Sequence, residues 1–173
     1  MREIPLTKGY TAVVDDEDYE RVSRRKWCAS VTHRKDGSIK GVYAQRRVSL
    51  GGGGSAIQLL HRFIAGITDS KVQVDHVDHD GLNNRRENLR AATNTQNSRN
   101  SRLSANNTSG FKGVTWEKSR GLWQAQIYIA GRNYVLGHFA SAQLAAVAYD
   151  TAACDHFGEF ALTNQELRAE EAL

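Results

Sequence analysis

From Ser98 to Gly110 the chain is almost wholly polar, with Leu103 and Ala105 as its apolar interruptions. A stretch of that composition cannot bury an apolar face, so it marks a boundary near Leu103 to Asn107. In a chain of 173 residues this leaves room for two small modules, 1–103 and 104–164, followed by a charged tail at 165–173. Modules of that size bury cores that are only marginally sufficient. The expected fold class is therefore α+β, with strands and short helices in both modules.

In the first module, Ile4 to Val14 has strand character with a turn at Gly9. Four acids, Asp15 to Asp18, precede Tyr19, Val22 and Trp27, which predicts a short helix whose acids complement the positive end of its dipole. Two strand-like runs follow, Trp27 to His33 and Gly41 to Leu50, joined through Asp36-Gly37, a strong hairpin signal. Gly51 to Ser55 reads as a loop, and Ala56 to Ala65 as a helix with Ile57, Leu60 and Ile64 on one stripe. His61 and Arg62 fall in that helix: His61 as a structural histidine or a neighbour of the site, Arg62 as a phosphate contact or a solvated charge.

The chemistry concentrates between Val72 and Asn97. Val72 and Val74 alternate into Asp75 and His76, which places a carboxylate and an imidazole together at the end of a short strand. Asp75 offers hard oxygen to a divalent cation, and neutral His76 can take a proton from water. A turn-rich loop containing Asp78, His79, Asp80 and Gly81 leads to a return strand near Leu89 and then to a polar segment from Thr93 or Asn94. If that segment is helical, Asn97 lies about one turn inside it, positioned to turn its amide oxygen to the same cation. The other reading of these residues is a loop braced by its own Asp and Asn side chains.

Asp75-His76, Asn88-Leu89-Arg90 and Asn97, with Thr93 four residues before Asn97, resemble the HNH nucleases in the form found in phage homing endonucleases. The resemblance covers His61 to about Asn100 and implies a ββα-metal core over about 61–100. It implies catalytic roles for His76 as general base and Asn88 as brace of the loop, and metal ligation by Asp75 and Asn97. Asparagine replaces the final histidine of the three-letter pattern, so the set is an HNN variant. Oxygen in place of nitrogen favours one Mg²⁺ or Mn²⁺ ion over zinc.

Beyond Gly110, Trp123, Ala125, Ile127 and Ile129 alternate with Gln124, Gln126 and Tyr128, as in a half-covered antiparallel sheet. Tyr134 to Phe139 is a further strand. Ser141 is a plausible N-cap for a helix ending at Gly158, with Leu144, Val147, Ala148, Thr151 and Ala152 on one face. From about Asn107 to Asn164, the runs Phe111-Lys112-Gly113-Val114, Leu136-Gly137-His138-Phe139 and Ala145-Ala146-Val147-Ala148-Tyr149-Asp150 resemble the AP2 DNA-binding domain. That resemblance implies a three-stranded sheet in the major groove, backed by the helix. Its reading face maps onto Lys112, Thr115, Glu117, Gln124, Gln126, Tyr128, Arg132 and Asn133. Arg99 and Arg102, on the connecting segment, would face phosphates if both modules sit on one duplex.

Charge and composition are consistent with a polyanionic partner. The chain carries 23 Lys and Arg against 19 Asp and Glu, a formal charge of +4. Its distribution is uneven: 18 basic and 12 acidic residues up to Leu103 give +6, whereas five basic and seven acidic residues from Ser104 onward give −2. Sequence-independent attraction to DNA is thus expected mainly from the first module. Cys28 and Cys154 are far apart and form no Cys-x-x-Cys pair, which argues against a zinc knuckle or a disulfide framework. No apolar run approaches the roughly 20 residues of a membrane span.

These features predict a site-specific DNA endonuclease of the homing type, acting by metal-dependent phosphodiester hydrolysis that gives a nick or a double-strand cut. Its expected setting is the cytoplasm of a bacterial or phage-infected cell, acting as monomer or dimer on double-stranded DNA with no membrane and no small-molecule cofactor. The alternative is a DNA-binding regulator with an inactive HNH centre.

Overall fold

The computed structural model describes residues 1–104 and 106–171 and, for residues 170 and 171, the backbone only. The chain forms two compact units, Met1–Asn94 and Thr95–Leu173, of mixed α/β architecture built on antiparallel sheets.

In the first unit, β1 (Arg2–Pro5) and β2 (Thr11–Val14) form a hairpin that leads into helix α1 (Asp16–Ser23). Alternation along the hairpin turns Ile4, Ala12 and Val14 inward, where they meet Val22 of α1, Trp27, Ala44, Leu60 and Ile64 in one apolar cluster. The acids ahead of α1 do more than complement its dipole. Asp15 makes no side-chain cap; its carboxylate instead accepts from Arg85 Nε at 3.1 Å and from the Arg86 backbone N–H at 2.8 Å. Those two partners hold its carboxyl below the ordinary carboxylate range, the Arg86 backbone bond being the larger influence. Asp18, 2% exposed, accepts from Arg21 and from both Nε and Nη2 of Arg86.

A three-stranded sheet follows in the order β3 (Cys28–His33), β4 (Ile39–Gly51), β5 (Gly54–Leu59). Strand β5 corrects the expected helix over Ala56 to Ala65. Gly51, Gly52 and Gly53 all adopt positive φ, 79°, 57° and 85°, so the glycine run is a tight turn that sends the chain back along β4. Ala56 then pairs with Val48 and Gln58 with Arg46, whose guanidinium donates twice to the side-chain Oε1 of Gln58. Only Leu60–Ala65 is helical, as α2. The stripe of Ile57, Leu60 and Ile64 was a coincidence of spacing: Leu60 and Ile64 are buried, whereas Ile57 is half-exposed on a strand.

Strands β6 (Gln73–His76) and β7 (Leu89–Ala92) make a final two-stranded ribbon, and α3 (Asn94–Arg99) comes after it.

The second unit holds a three-stranded antiparallel sheet, β8 (Val114–Glu117), β9 (Leu122–Ile129) and β10 (Arg132–Phe139), with β9 central. Helix α4 (Ala142–Phe157) begins at Ser141, whose Oγ accepts from the Leu144 N–H at 3.2 Å, and covers one side. The helix face is only partly the expected one: Ala148 and Ala152 pack against the core, whereas Thr151 is exposed. Ala142, Ala145, Ala146, Tyr149 and Ala153 pack inward, while Leu144 and Val147 are exposed. The small residues win because a methyl side chain lets the helix axis approach the sheet, and Phe111, Val114 and Ala125 fill the layer from below. Helix α5 (Asn164–Glu171) takes up part of the charged tail; residues 172 and 173 lie outside the described residues. Asn164 ties its start down, accepting from the Lys112 N–H at 2.6 Å and donating to Asp150.

Among the described residues no helix is long and apolar enough to cross a membrane, and both cysteines are free thiols.

Candidate active site

Asp75 and His76 are the last two residues of β6, each 6% exposed. Their position follows from Val74, whose burial anchors the strand to the unit's interior and brings the next two side chains with it. The segment that follows, from Val77 to Asn88, lacks regular structure over most of its length yet is fixed from several sides. The Val77 N–H donates to the Asn88 carbonyl at 3.0 Å, and the Asp78 N–H to Asn88 Oδ1 at 3.0 Å. Asn88 Nδ2 in turn donates to Asp78 Oδ1 and to the Asn83 carbonyl, both at 2.8 Å. A buried amide with both ends engaged in this way ties the start of the loop to its end.

The far side of the loop is laced to β2. Val13 donates to the Leu82 carbonyl and Asn84 donates back to the Val13 carbonyl, both at 2.8 Å. Arg85 and Arg86 then reach Asp15 and Asp18 as described above. The acids before α1 therefore hold the loop through its arginines, a role that local sequence cannot reveal because about 70 residues separate the partners.

Three rings meet beside Asp75. His76 lies 5.0 Å from His61 of α2, edge to face, and 5.9 Å from Tyr43 of β4; Tyr43 and His61 are 6.0 Å apart. Burial pushes His61 down to about 3, with the neighbouring His76 and Arg62 adding to the effect. Burial also lowers His76, against the opposing influence of Asn84 and of Asp78, Asp75 and Asp80. Both imidazoles are thus neutral at neutral pH, the form in which a histidine can accept a proton. Tyr43 was not anticipated, since nothing in its own strand distinguishes it. His61 was noticed, and its place is against the His76 ring.

Asp75 has a partner across the ribbon. Arg90, its cross-strand neighbour in the β6–β7 register, donates from Nε and Nη2 to Asp75 Oδ2. Among the described residues no three His, Cys, Asp or Glu side chains gather as a metal site. Asn97 sits in the fourth position of α3, half-buried, and belongs to the second unit, whereas Asp75, His76 and Asn88 belong to the first. His79 is half-buried at a left-handed turn, φ 63°.

Residues 60–99 match the family model described as HNH endonuclease. Over this segment the chain is similar to the HNH endonuclease family. The chain is also 38% identical over 111 residues to a protein named as an uncharacterized HNH endonuclease, L560, of Acanthamoeba polyphaga mimivirus, covering 61% of this chain and 57% of that one. It is 38% identical over 61 residues to Protein 3.8 of Escherichia phage T7, covering 35% of this chain and 50% of that one. The chain thus spans about half the length of these curated relatives. No solved structure matches. The matched segment contains α2 with His61, both strands of the ribbon, the Asn88-braced loop and α3 with Asn97.

The residues expected to touch DNA are placed unequally. Arg62 donates from Nη1 to the Val72 carbonyl and from Nη2 to the Asp69 carbonyl, both at 2.7 Å, so it braces the turn before β6. Lys112 points its Nζ at the carbonyls of Arg99 and Ser101, at 2.8 and 3.0 Å, and burial lowers it to about 8. Arg132 pairs in register with Ile129, which puts it on the side of the sheet that carries α4. These placements share a cause: long basic side chains fold onto nearby carbonyls or follow strand register, which composition does not show. Arg99 stacks over the Phe157 ring at 4.1 Å, and Arg102 is exposed. Thr115, Gln124, Gln126, Tyr128 and Asn133 share the open side of the sheet, with Glu117 beside them.

Proposed function

We propose that the chain is a metal-dependent, site-specific DNA endonuclease of the homing type, in which residues 1–103 cut and an AP2-like module at 104–164 reads the duplex. The observation that carries the reading is the buried pair Asp75 and His76 at the end of β6, facing a loop that Asn88 holds at both ends. Nucleases need a base for water beside an oxygen donor for a hard cation, and this pair supplies both.

By donor chemistry the two expected ligands suit such a cation in a sparse mode. Asp75 offers a carboxylate and Asn97 an amide oxygen, and Mg²⁺ is commonly held by one or two carboxylates with phosphate and water completing its shell. When bound, the ion supplies charge stabilisation at the scissile phosphate and the leaving 3′ oxygen. The remaining work falls to the protein. His76, neutral through burial, accepts the proton of the attacking water; His61 and Tyr43 wall its ring; Asn88 fixes the loop against which the phosphate would lie. The products would carry 5′-phosphate and 3′-hydroxyl ends. The first module, with its balance of +6, supplies the attraction, and the open face of β8–β9–β10 supplies the choice of site. One centre per chain nicks as a monomer and breaks both strands as a dimer or by two successive cuts.

The second reading is a DNA-binding regulator with an inactive HNH centre, favoured by one observation: Arg90 already occupies an oxygen of Asp75. A supercoiled plasmid incubated with Mg²⁺ or Mn²⁺ separates the two. The endonuclease converts it to the open circular form, and His76→Ala abolishes that conversion while duplex binding persists. Binding without nicking by the parent chain would establish the regulator.

A further inference from the structure

We infer that His138 sets the hydrogen-bonding polarity of the open sheet face by fixing the amide of Gln124, so that Gln124 offers its NH₂ to acceptor groups on a base edge. The inference rests on the reading that this face lies against duplex DNA.

His138 owes its position to a bulge. Val135 pairs with Gln126, Leu136 is skipped, and Gly137 and His138 then pair with Ala125 and Gln124. In an unbroken ladder, side chains alternate, and His138 would share the helix side with Leu136. Leu136 stays in the apolar layer under α4, and the extra residue re-aims His138 to the open face.

On that face one ring nitrogen has two polar neighbours. His138 Nε2 lies 2.6 Å from Glu117 Oε2, reaching across β9 from the far strand, and 3.3 Å from Gln124 Nε2, the end of that amide whose place Oε1 takes in the other orientation. The Ser119 hydroxyl, then His138 and Arg120, hold Glu117 below the ordinary carboxylate range. Glu117 is therefore ionised and can only accept, so the proton between the two groups is on Nε2. A ring nitrogen that carries hydrogen has no lone pair left for a second donor. The two orientations of a glutamine amide occupy the same space, and only the one with Oε1 toward His138 avoids setting N–H against N–H. The Gln124 NH₂ is then directed away from His138.

An amide fixed in this sense discriminates by chemistry. It pairs with guanine O6 or N7, thymine O4 or adenine N7, and it is mismatched with the amino group that cytosine presents in the major groove. The usual bidentate pairing of glutamine with adenine needs the carbonyl as well, and here the carbonyl is turned to the histidine. His138 is thus a positioning residue for base choice rather than itself the reader.

Two measurements on the full chain test this. Long-range ¹⁵N NMR of the free protein at pH 7 reports which ring nitrogen of His138 carries hydrogen: a protonated Nε2 is expected, and a bare Nε2 overturns the inference. Selection from a random duplex library gives the second. The parent should disfavour cytosine by about tenfold at one position. Glu117→Ala releases the ring to accept from the Gln124 NH₂ and turns its carbonyl outward, so the preference at that position should move to adenine or cytosine. His138→Phe should broaden the same position. Duplex retained with that position unchanged in both variants would sink the proposal. A parent that retains no duplex would defeat the DNA reading itself, while the proton on His138 would still be decided by NMR.

Discussion

Arg90 and Asp75 face each other directly across the β6–β7 ribbon, and Nε and Nη2 of the arginine close on a single carboxylate oxygen at 2.9 and 2.8 Å. Both side chains are largely withdrawn from water, 14% and 7% exposed. Removing one partner of such a pair leaves a buried charge uncompensated, at a cost of about 3–5 kcal/mol. Arg90→Met should therefore lower the Tm of the first unit markedly. Because it takes the Arg90 guanidinium off Asp75 Oδ2, Mg²⁺ should raise the Tm of the variant more than that of the parent. Equal responses to the ion in thermal unfolding would exclude Asp75 as its ligand.

The His61 ring gives the first unit an acid sensitivity. It titrates near 3 in the folded chain and near 6.5 when free in solution. Between those values the unfolded chain binds the extra proton, so the stabilising term is complete above about pH 6.5 and is lost as the pH falls toward 3. The slope is up to about 1.4 kcal/mol per pH unit. Urea unfolding at pH 5 and pH 7, followed through amide signals of β4 and β6, should show this loss, and His61→Phe should reduce the difference. An undiminished slope in the variant would assign the sensitivity elsewhere.

Gly81 packs where no side chain fits. A Cβ there would collide with the Val42 carbonyl oxygen and stand 2.6 Å from Tyr43 Cδ1, so the loop lies directly on β4. Overpacking of this kind costs about 1–3 kcal/mol. Gly81→Ala should destabilise the first unit by that amount and slow plasmid nicking by displacing Tyr43 and the loop. Nicking at the parent rate would show that the loop's seat on β4 does not matter to the site.

The α4 face yields a paired prediction. Ala145 is fully buried against the sheet, whereas Leu144 is 56% exposed. Ala145→Leu should destabilise the second unit by about 1–3 kcal/mol, and Leu144→Lys should change it by no more than about 0.5 kcal/mol. Chemical denaturation of the two variants checks the order, and a larger loss for Leu144→Lys would reverse the face assigned to the helix.

How far local sequence reaches is clear from these elements. Alternation of Val72 and Val74 located β6 and put Asp75 and His76 at its end, and the Asp36-Gly37 turn located a hairpin, because each signal lies within a few consecutive residues. Periodicity failed where two patterns overlap. Ile57, Leu60 and Ile64 have helical spacing, but the left-handed glycines before them commit residues 54–59 to pairing with β4. In α4, the expected face was right for Ala148 and Ala152 and wrong for Leu144 and Val147, because close approach to the sheet admits the small side chains and turns the large ones out.

By itself the sequence determined the chemistry at hand: a carboxylate beside an imidazole, an asparagine able to brace a loop, and an amide-rich strand with one polar side. Tertiary structure decided which of these groups are engaged and by what. It set Arg90 on Asp75, walled His76 with His61 and Tyr43, anchored the loop's arginines on Asp15 and Asp18, and turned His138 outward through a one-residue bulge. The reason is physical. Side-chain identity fixes what a group can donate, accept or ionise, but burial and hydrogen-bond partners come from strands and loops far apart in the chain, and they decide its state.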